Sequence, residues 1–234
     1  MYDLAAYESL LKSFLQAGYR STLFSETFGP QGHLFLRHDI DLCLDRAREM
    51  ASCETALGVR ATYFILLDTE FYNVFNKRGR AVLRDLQNLG HEVGLHFDFA
   101  SVETIEEMFA RVTQECRILE DLVGTPIRAV APHRPVPSLL DNSEDICGRV
   151  HPYQPRFFSD IHYASDSLGG WTRDHPTDCA AFRSKGSMQL LTHPYIWTTP
   201  TAATQTERIR DVLRGKSVDL DVAARANFRT YLPD

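Results

Sequence analysis

The stretch Leu34-Phe35-Leu36-Arg37-His38-Asp39-Ile40-Asp41 decides how the rest of the chain reads. An apolar run that ends abruptly in charge is the pattern of a buried strand delivering polar groups at its C-terminal end. Residues two apart on an extended chain face the same way, so Asp39 and Asp41 are expected to project into one space with His38 turned aside. Two crowded carboxylates repel unless a cation, a shared proton or a basic neighbour relieves them. The bland alternative is that one of them caps a helix starting near Leu42. Four later strand-like runs that also end in His, Asp or Arg favour a shared site.

Working outward, the chain has 234 residues, 44% of them apolar and 24% charged, which suits one large core. Its net charge of −6 and lack of a long basic run argue against a nucleic-acid partner. No apolar run approaches the ~20 residues that span a bilayer. The acidic start, Met1 to Glu8, carries neither the basic nor the apolar region of a signal peptide, so a cytoplasmic location is expected. Five cysteines without CxxC spacing (Cys43, Cys53, Cys116, Cys147 and Cys179) suggest neither a disulfide framework nor a thiolate zinc site.

Apolar spacing predicts a helix over 3–17, then the opening strand, then a helix from Leu44 to Leu57 stopped by Gly58. Ala61–Leu67 reads as a strand buried on both faces, followed by a helix through Val82 and Leu89 and a short strand over Glu92–His96. Ile105–Val123 is the clearest amphipathic helix, with Ser101 as candidate cap and Gly124 after its end. Ile127–Val130 reads as a fourth strand. Between 135 and 186 the rhythm fails, and Phe157-Phe158-Ser159-Asp160 suggests short strands between long loops. Met188–Leu191 gives the last strand, and two helices, 202–214 and 217–231, close the chain. Alternating strand and helix predicts a parallel α/β sheet, barrel-like or doubly wound. One domain over 1–234 is expected: an N-terminal helix and loop (1–31), a core (32–198) and C-terminal helices (199–234).

Just beyond the strand ends lie Asp39 and Asp41, His96 and Asp98, His133 and Arg134, Asp160 and His162, and His193. In parallel α/β folds these ends share the face on which sites are built. At this point the chain resembles the polysaccharide deacetylases, over about residues 32–198. Arg37-His38-Asp39-Ile40-Asp41 looks like their first motif, Gly58–Phe64 like their second-strand signature, and Gly90–His96 like the approach to their metal-binding motif. The resemblance implies a distorted (β/α) barrel, a divalent metal, and removal of acetyl groups from N-acetylated sugars. It makes Asp39 the general base, Asp41 and His96 metal ligands, and His193, in Leu190-Leu191-Thr192-His193-Pro194, the general acid.

The departures are specific. The family's second metal-binding His lies four residues after the first, and here that position is Ala100. His133, ending the next strand, is the preferred replacement ligand and Asp98 the second choice. Pro132-His133-Arg134-Pro135 stands where the family has an Arg motif orienting the base, so Arg134 is expected to hold Asp39 ionised through a charge-assisted hydrogen bond. The family's Asp-and-Trp motif has a loose counterpart in Asp166 to Trp171. One carboxylate and two imidazoles leave coordination positions open, as a hydrolytic Zn²⁺ requires. Trp171, Trp197, Tyr163 and Tyr195, with Asp166, could form a sugar platform or simply cover the barrel. His151, His162 and His175 are further ligand candidates.

The expected protein is a metal-dependent deacetylase-like hydrolase acting on a nucleotide-linked or lipid-linked glycan precursor, or another carbohydrate. Two alternatives stand beside it. One is an inactive relative that binds a glycan or a partner enzyme, which the gap at Ala100 would suit. The other is an amidohydrolase for non-sugar amides.

Overall fold

The computed structural model describes residues 2–99, 102–172, 174–199 and 202–231. At its centre lies β2 (His33–Ile40), whose eight residues are all buried. It is flanked by β3 (Thr62–Leu66) on one side and β7 (Met188–Thr192) on the other. Beyond β3 come β4 (Glu92–Phe97) and then β5 (Val130–Pro132), and beyond β7 comes β6 (His162–Ser165). A two-residue β1 (Arg20–Ser21) pairs with the start of β2. Every named strand pairing is parallel, and no pairing among the described residues joins β5 to β6. The sheet is therefore the open, distorted (β/α) barrel that the sequence led us to expect.

Alternation along the strands separates two cores. The helices α1 (Leu4–Gln16), α2 (Leu44–Ala56), α3 (Lys77–Asn88) and α4 (Ile105–Val123) cover the outer face, where Leu34, Leu36, Ile40, Tyr63, Ile65 and Leu95 point. The opposite face holds a compact aromatic layer of Phe24, Phe35, Phe64 and Phe157. Each of these buried rings contributes about 1.5–3 kcal/mol. Gly94 on β4 faces this layer, and a Cβ there would sit 2.6 Å from the Phe64 ring. Only glycine fits.

Several boundaries differ from expectation. α4 is capped by Thr104, which accepts from the Glu107 N–H; Ser101, like Ala100, lies outside the described residues. The fourth strand starts at Val130 instead of Ile127, because the Ile127 backbone is taken by Glu120 and Arg149 side chains. Phe157 ends a 3-10 turn, Pro155–Phe157, and the strand follows it at His162. The two expected C-terminal helices are one, α7 (Gln205–Asn227), opened by a Thr204–Glu207 capping box. Gly215 costs such a helix only about 1 kcal/mol, too little to break it. Short helices α5 (Ala180–Ser184) and α6 (Pro194–Trp197) flank β7. Among the described residues no helix is long and apolar enough to cross a membrane.

Candidate metal centre and active site

The inner face of β2 carries Phe35, Arg37 and Asp39 in succession, with Asp41 just beyond its end. Arg37 is fully buried. Its Nε and one Nη grip both Asp39 oxygens at 2.7 and 2.8 Å. Its guanidinium also lies 4.9 Å from the centre of the Tyr153 ring and 5.5 Å from that of Phe64. Burial opposes the charge of Asp39, yet Arg37 above all, with His96 and His193, holds its carboxyl below the usual range. The group that keeps Asp39 ionised and aimed is thus Arg37. Arg134 corrects our expectation: it is exposed and forms a two-pronged ion pair with Asp98 across the mouth of the site.

His96, two residues after Gly94 on β4, points into the same space. Its Nδ1 lies 2.7 Å from the Ala131 carbonyl on β5, which makes Nδ1 the protonated nitrogen and leaves Nε2 as a free lone pair. Nε2 is 3.1 Å from His133 Nδ1 and 3.2 Å from Asp41 Oδ1, and His133 Nδ1 is 3.3 Å from the same oxygen. One ligand atom from each of Asp41, His96 and His133 lies within 4.8 Å of the other two. Asp41 Oδ1 is buried and accepts no hydrogen bond from the described residues, a condition that suits a cation ligand. Burial raises the Asp41 carboxyl, but His133, His96 and His193 together hold it well below its ordinary value. An oxygen and two imidazole nitrogens are a donor set that fits Zn²⁺ and similar ions.

Across the site, His193 follows β7. Its Nδ1 lies 2.6 Å from Asp166 Oδ1, its backbone N–H donates to Asp166 Oδ2, and its Nε2 faces Asp41 at 3.5 Å. Burial works against the imidazolium, but Asp166, then Asp41 and Asp39, push its pKa up to about 9. Asp166 follows β6, is fully buried and also accepts from Trp197 Nε1 at 2.8 Å. It therefore orients His193 instead of touching substrate. Trp197 is 2% exposed and serves Asp166, so it forms no platform. Trp171 packs 5.9 Å from Trp197 and lines neither cavity beside Asp41. Tyr163 and Tyr195 do line the inner one.

Four expected candidates fall elsewhere. Asp160 is exposed and His162 begins β6, at the end away from the site. His151 faces the Glu144 carbonyl, and His175 caps a surface 3-10 turn. The residues missed were Arg37 as holder of Asp39 and Asp166 as holder of His193. The first was readable, since Arg37 stands two residues before Asp39 on the same strand face. Two cavities meet at Asp41, His133 and Tyr195. The inner one, of about 300 Å³, is lined by Asp39, Tyr153, Tyr163, Leu191 and His193. The outer one, of about 380 Å³, opens past Asp98 and Arg134.

No protein-family model and no curated protein sequence matches the chain. Solved structures do. The chain is similar to the chitin deacetylase of Colletotrichum lindemuthianum, with 15% identity over 84% of this chain and 86% of that one, at a TM-score of 0.48. It is similar to the Streptococcus pyogenes deacetylase PplD, solved with acetate, with 10% identity over 82% and 81% of the two chains and a TM-score of 0.48. It is also similar to a CE4 family pseudoenzyme from Bacillus anthracis, with 12% identity over 78% and 60% and a TM-score of 0.38.

Proposed function

We propose that the protein is a metal-dependent amide hydrolase that removes a small acyl group, acetyl above all, from a carbohydrate or glycan precursor. One observation carries this reading. Asp41, His96 and His133 converge on a buried, unsatisfied carboxylate oxygen, between an arginine-held carboxylate and an aspartate-held imidazole. A divalent ion bound there, Zn²⁺ in our reading, would polarise the amide carbonyl and acidify water. Asp39 is positioned to take the proton from the attacking water, and its pairing with Arg37 keeps it a base at neutral pH. His193, its Nδ1 committed to Asp166, presents Nε2 to the other side of the site and donates a proton to the departing amine. The inner cavity beside Leu191 takes the acyl group, and the outer cavity takes the amine-bearing part.

The test is elemental analysis of protein purified without an affinity tag, followed by acetate release from N-acetylated sugars. Near-stoichiometric metal that is lost in both His96→Ala and His133→Ala, with turnover lost alongside, is the expected result. Folded wild type that takes up no metal from added Zn²⁺ would instead identify a non-catalytic binding protein.

A further inference from the structure

A third cavity, of about 740 Å³, adjoins the mouth of the site. It lies between the 67–76 loop and α7, and Thr69, Glu70 and Phe71 line both it and the outer cavity. One helix runs past all three spaces. Gln205 borders the inner cavity, Ile209 the outer, and Leu220 and Ala223 the third. From Gln205 to Leu220 that track is about 22 Å long at 1.5 Å per residue.

The groove presents large apolar side chains to solvent: Phe71 is 39% exposed, Phe75 51% and Leu220 71%. Of its charged residues, Arg78 pairs with Asp45 and Asp219, and Lys216 donates to the Phe71 carbonyl. The loop wall is fixed. Tyr72 donates to the Ile40 carbonyl and accepts from the Leu66 N–H, and the backbone of Asn73 and Val74 lies so close to Gly79 of α3 that no Cβ would fit there. The volume falls in the range of preformed ligand sites. At the mouth, Asp98 pairs with Arg134 and Asp68 with Arg111, and Glu70 adds a further carboxylate. That balance repels a phosphate-rich group.

We infer that this groove binds the apolar aglycone of a neutral, lipid-like glycoside whose amide lies at the metal centre. The inference rests on the proposed hydrolase for its substrate, but the groove's ligand can be tested without turnover. Methyl, octyl and dodecyl β-D-glucopyranosides carry no amide and can be titrated calorimetrically below their micellar concentrations. Affinity should rise with chain length, by up to about fourfold for each methylene removed from water. Leu220→Asp and Phe75→Ser should abolish that dependence. Val218→Asp and Val222→Asp should leave it intact, because both residues are exposed on the same helix but lie outside the groove.

Equal binding of methyl and dodecyl glycosides overturns the inference, as does chain-length dependence that survives in Leu220→Asp. A wild-type dimer that Leu220→Asp dissociates also overturns it, by showing that a second copy covers the groove. Chain-length-dependent binding without acetate release from dodecyl N-acetylglucosaminide supports the groove and sinks only the hydrolase reading.

Discussion

Removing Arg37 is the sharpest test of how the site is held. Its side chain is fully buried and its partner Asp39 is 5% exposed, so Arg37→Met leaves a carboxylate in the barrel without its bidentate donor. Breaking one side of a buried pair costs about 3–5 kcal/mol, which for a chain of this size lowers Tm by about 6–20 °C. The Coulombic attraction is not what is lost in net terms, since desolvation already offsets most of it. What remains is the uncompensated charge. The double variant Arg37→Met/Asp39→Leu should therefore be more stable than Arg37→Met alone, although it carries one change more. Arg134→Ala, at an exposed pair, should leave Tm unchanged. Urea denaturation followed by circular dichroism, with the slope checked for constancy, gives all four stabilities. If Arg37→Met matched Arg134→Ala, or if the double variant were the least stable, the buried pair would not be what organises the barrel interior.

Asp166→Asn should leave substrate KM near wild type while lowering kcat about 10²–10⁴-fold in acetate release, because His193 loses its orienting acceptor. A pH scan of Tm should show an acid limb to which Glu54 contributes. Burial opposes its charge, but His38, His91 and Tyr7 hold its carboxyl below the ordinary 4.5, so its stabilisation is present above pH 4.5 and lost as pH falls through the lowered value. Glu54→Gln should flatten that limb. Gly94→Ala should destabilise by about 1–3 kcal/mol in chemical denaturation, since its Cβ meets a buried Phe64 ring that has nowhere to go. Gly215→Ala should stabilise by about 0.5–1 kcal/mol in the same assay, as expected in the middle of one continuous exposed helix.

What could be read from the sequence was what the backbone periods dictate. Period-two alternation put Asp39 and Asp41 on one face, and the abrupt change from apolar to charged located His96, His133 and His193 at strand ends. Side-chain reach is not a property of spacing, and that is where reading failed. Arg134 and Arg37 both lay within plausible reach of Asp39. Arg134 sits at the rim, where Asp98 on the neighbouring strand end meets it first. The role of Asp166 beside His193, in place of the expected one in a sugar platform, was missed for a different reason. The loops around β6 carry no periodic signal, so its strand was expected from Phe157, five residues before it begins at His162, and Asp160 took the position that Asp166 fills.

The same register explains which parts of the site are rigid. His38 and Thr192 are the last residues paired between β2 and β7, and their side chains meet at 2.7 Å behind the sheet, where His38 also reaches Glu54. Asp39 and His193 are the residues that come next along the chain. The separation of the proposed base and acid is thus set by strand pairing and a buried polar cluster, with no loop between them. The proposed metal centre lacks this uniformity. Asp41 follows the eight-residue β2 and His96 lies within the six-residue β4, whereas His133 follows the three-residue β5 and its backbone N–H donates to the Phe97 carbonyl. His133 is the proposed ligand with the least fixed backbone. In a metal titration, substitutions around β5 should weaken binding before those beneath Asp41 or His96 do.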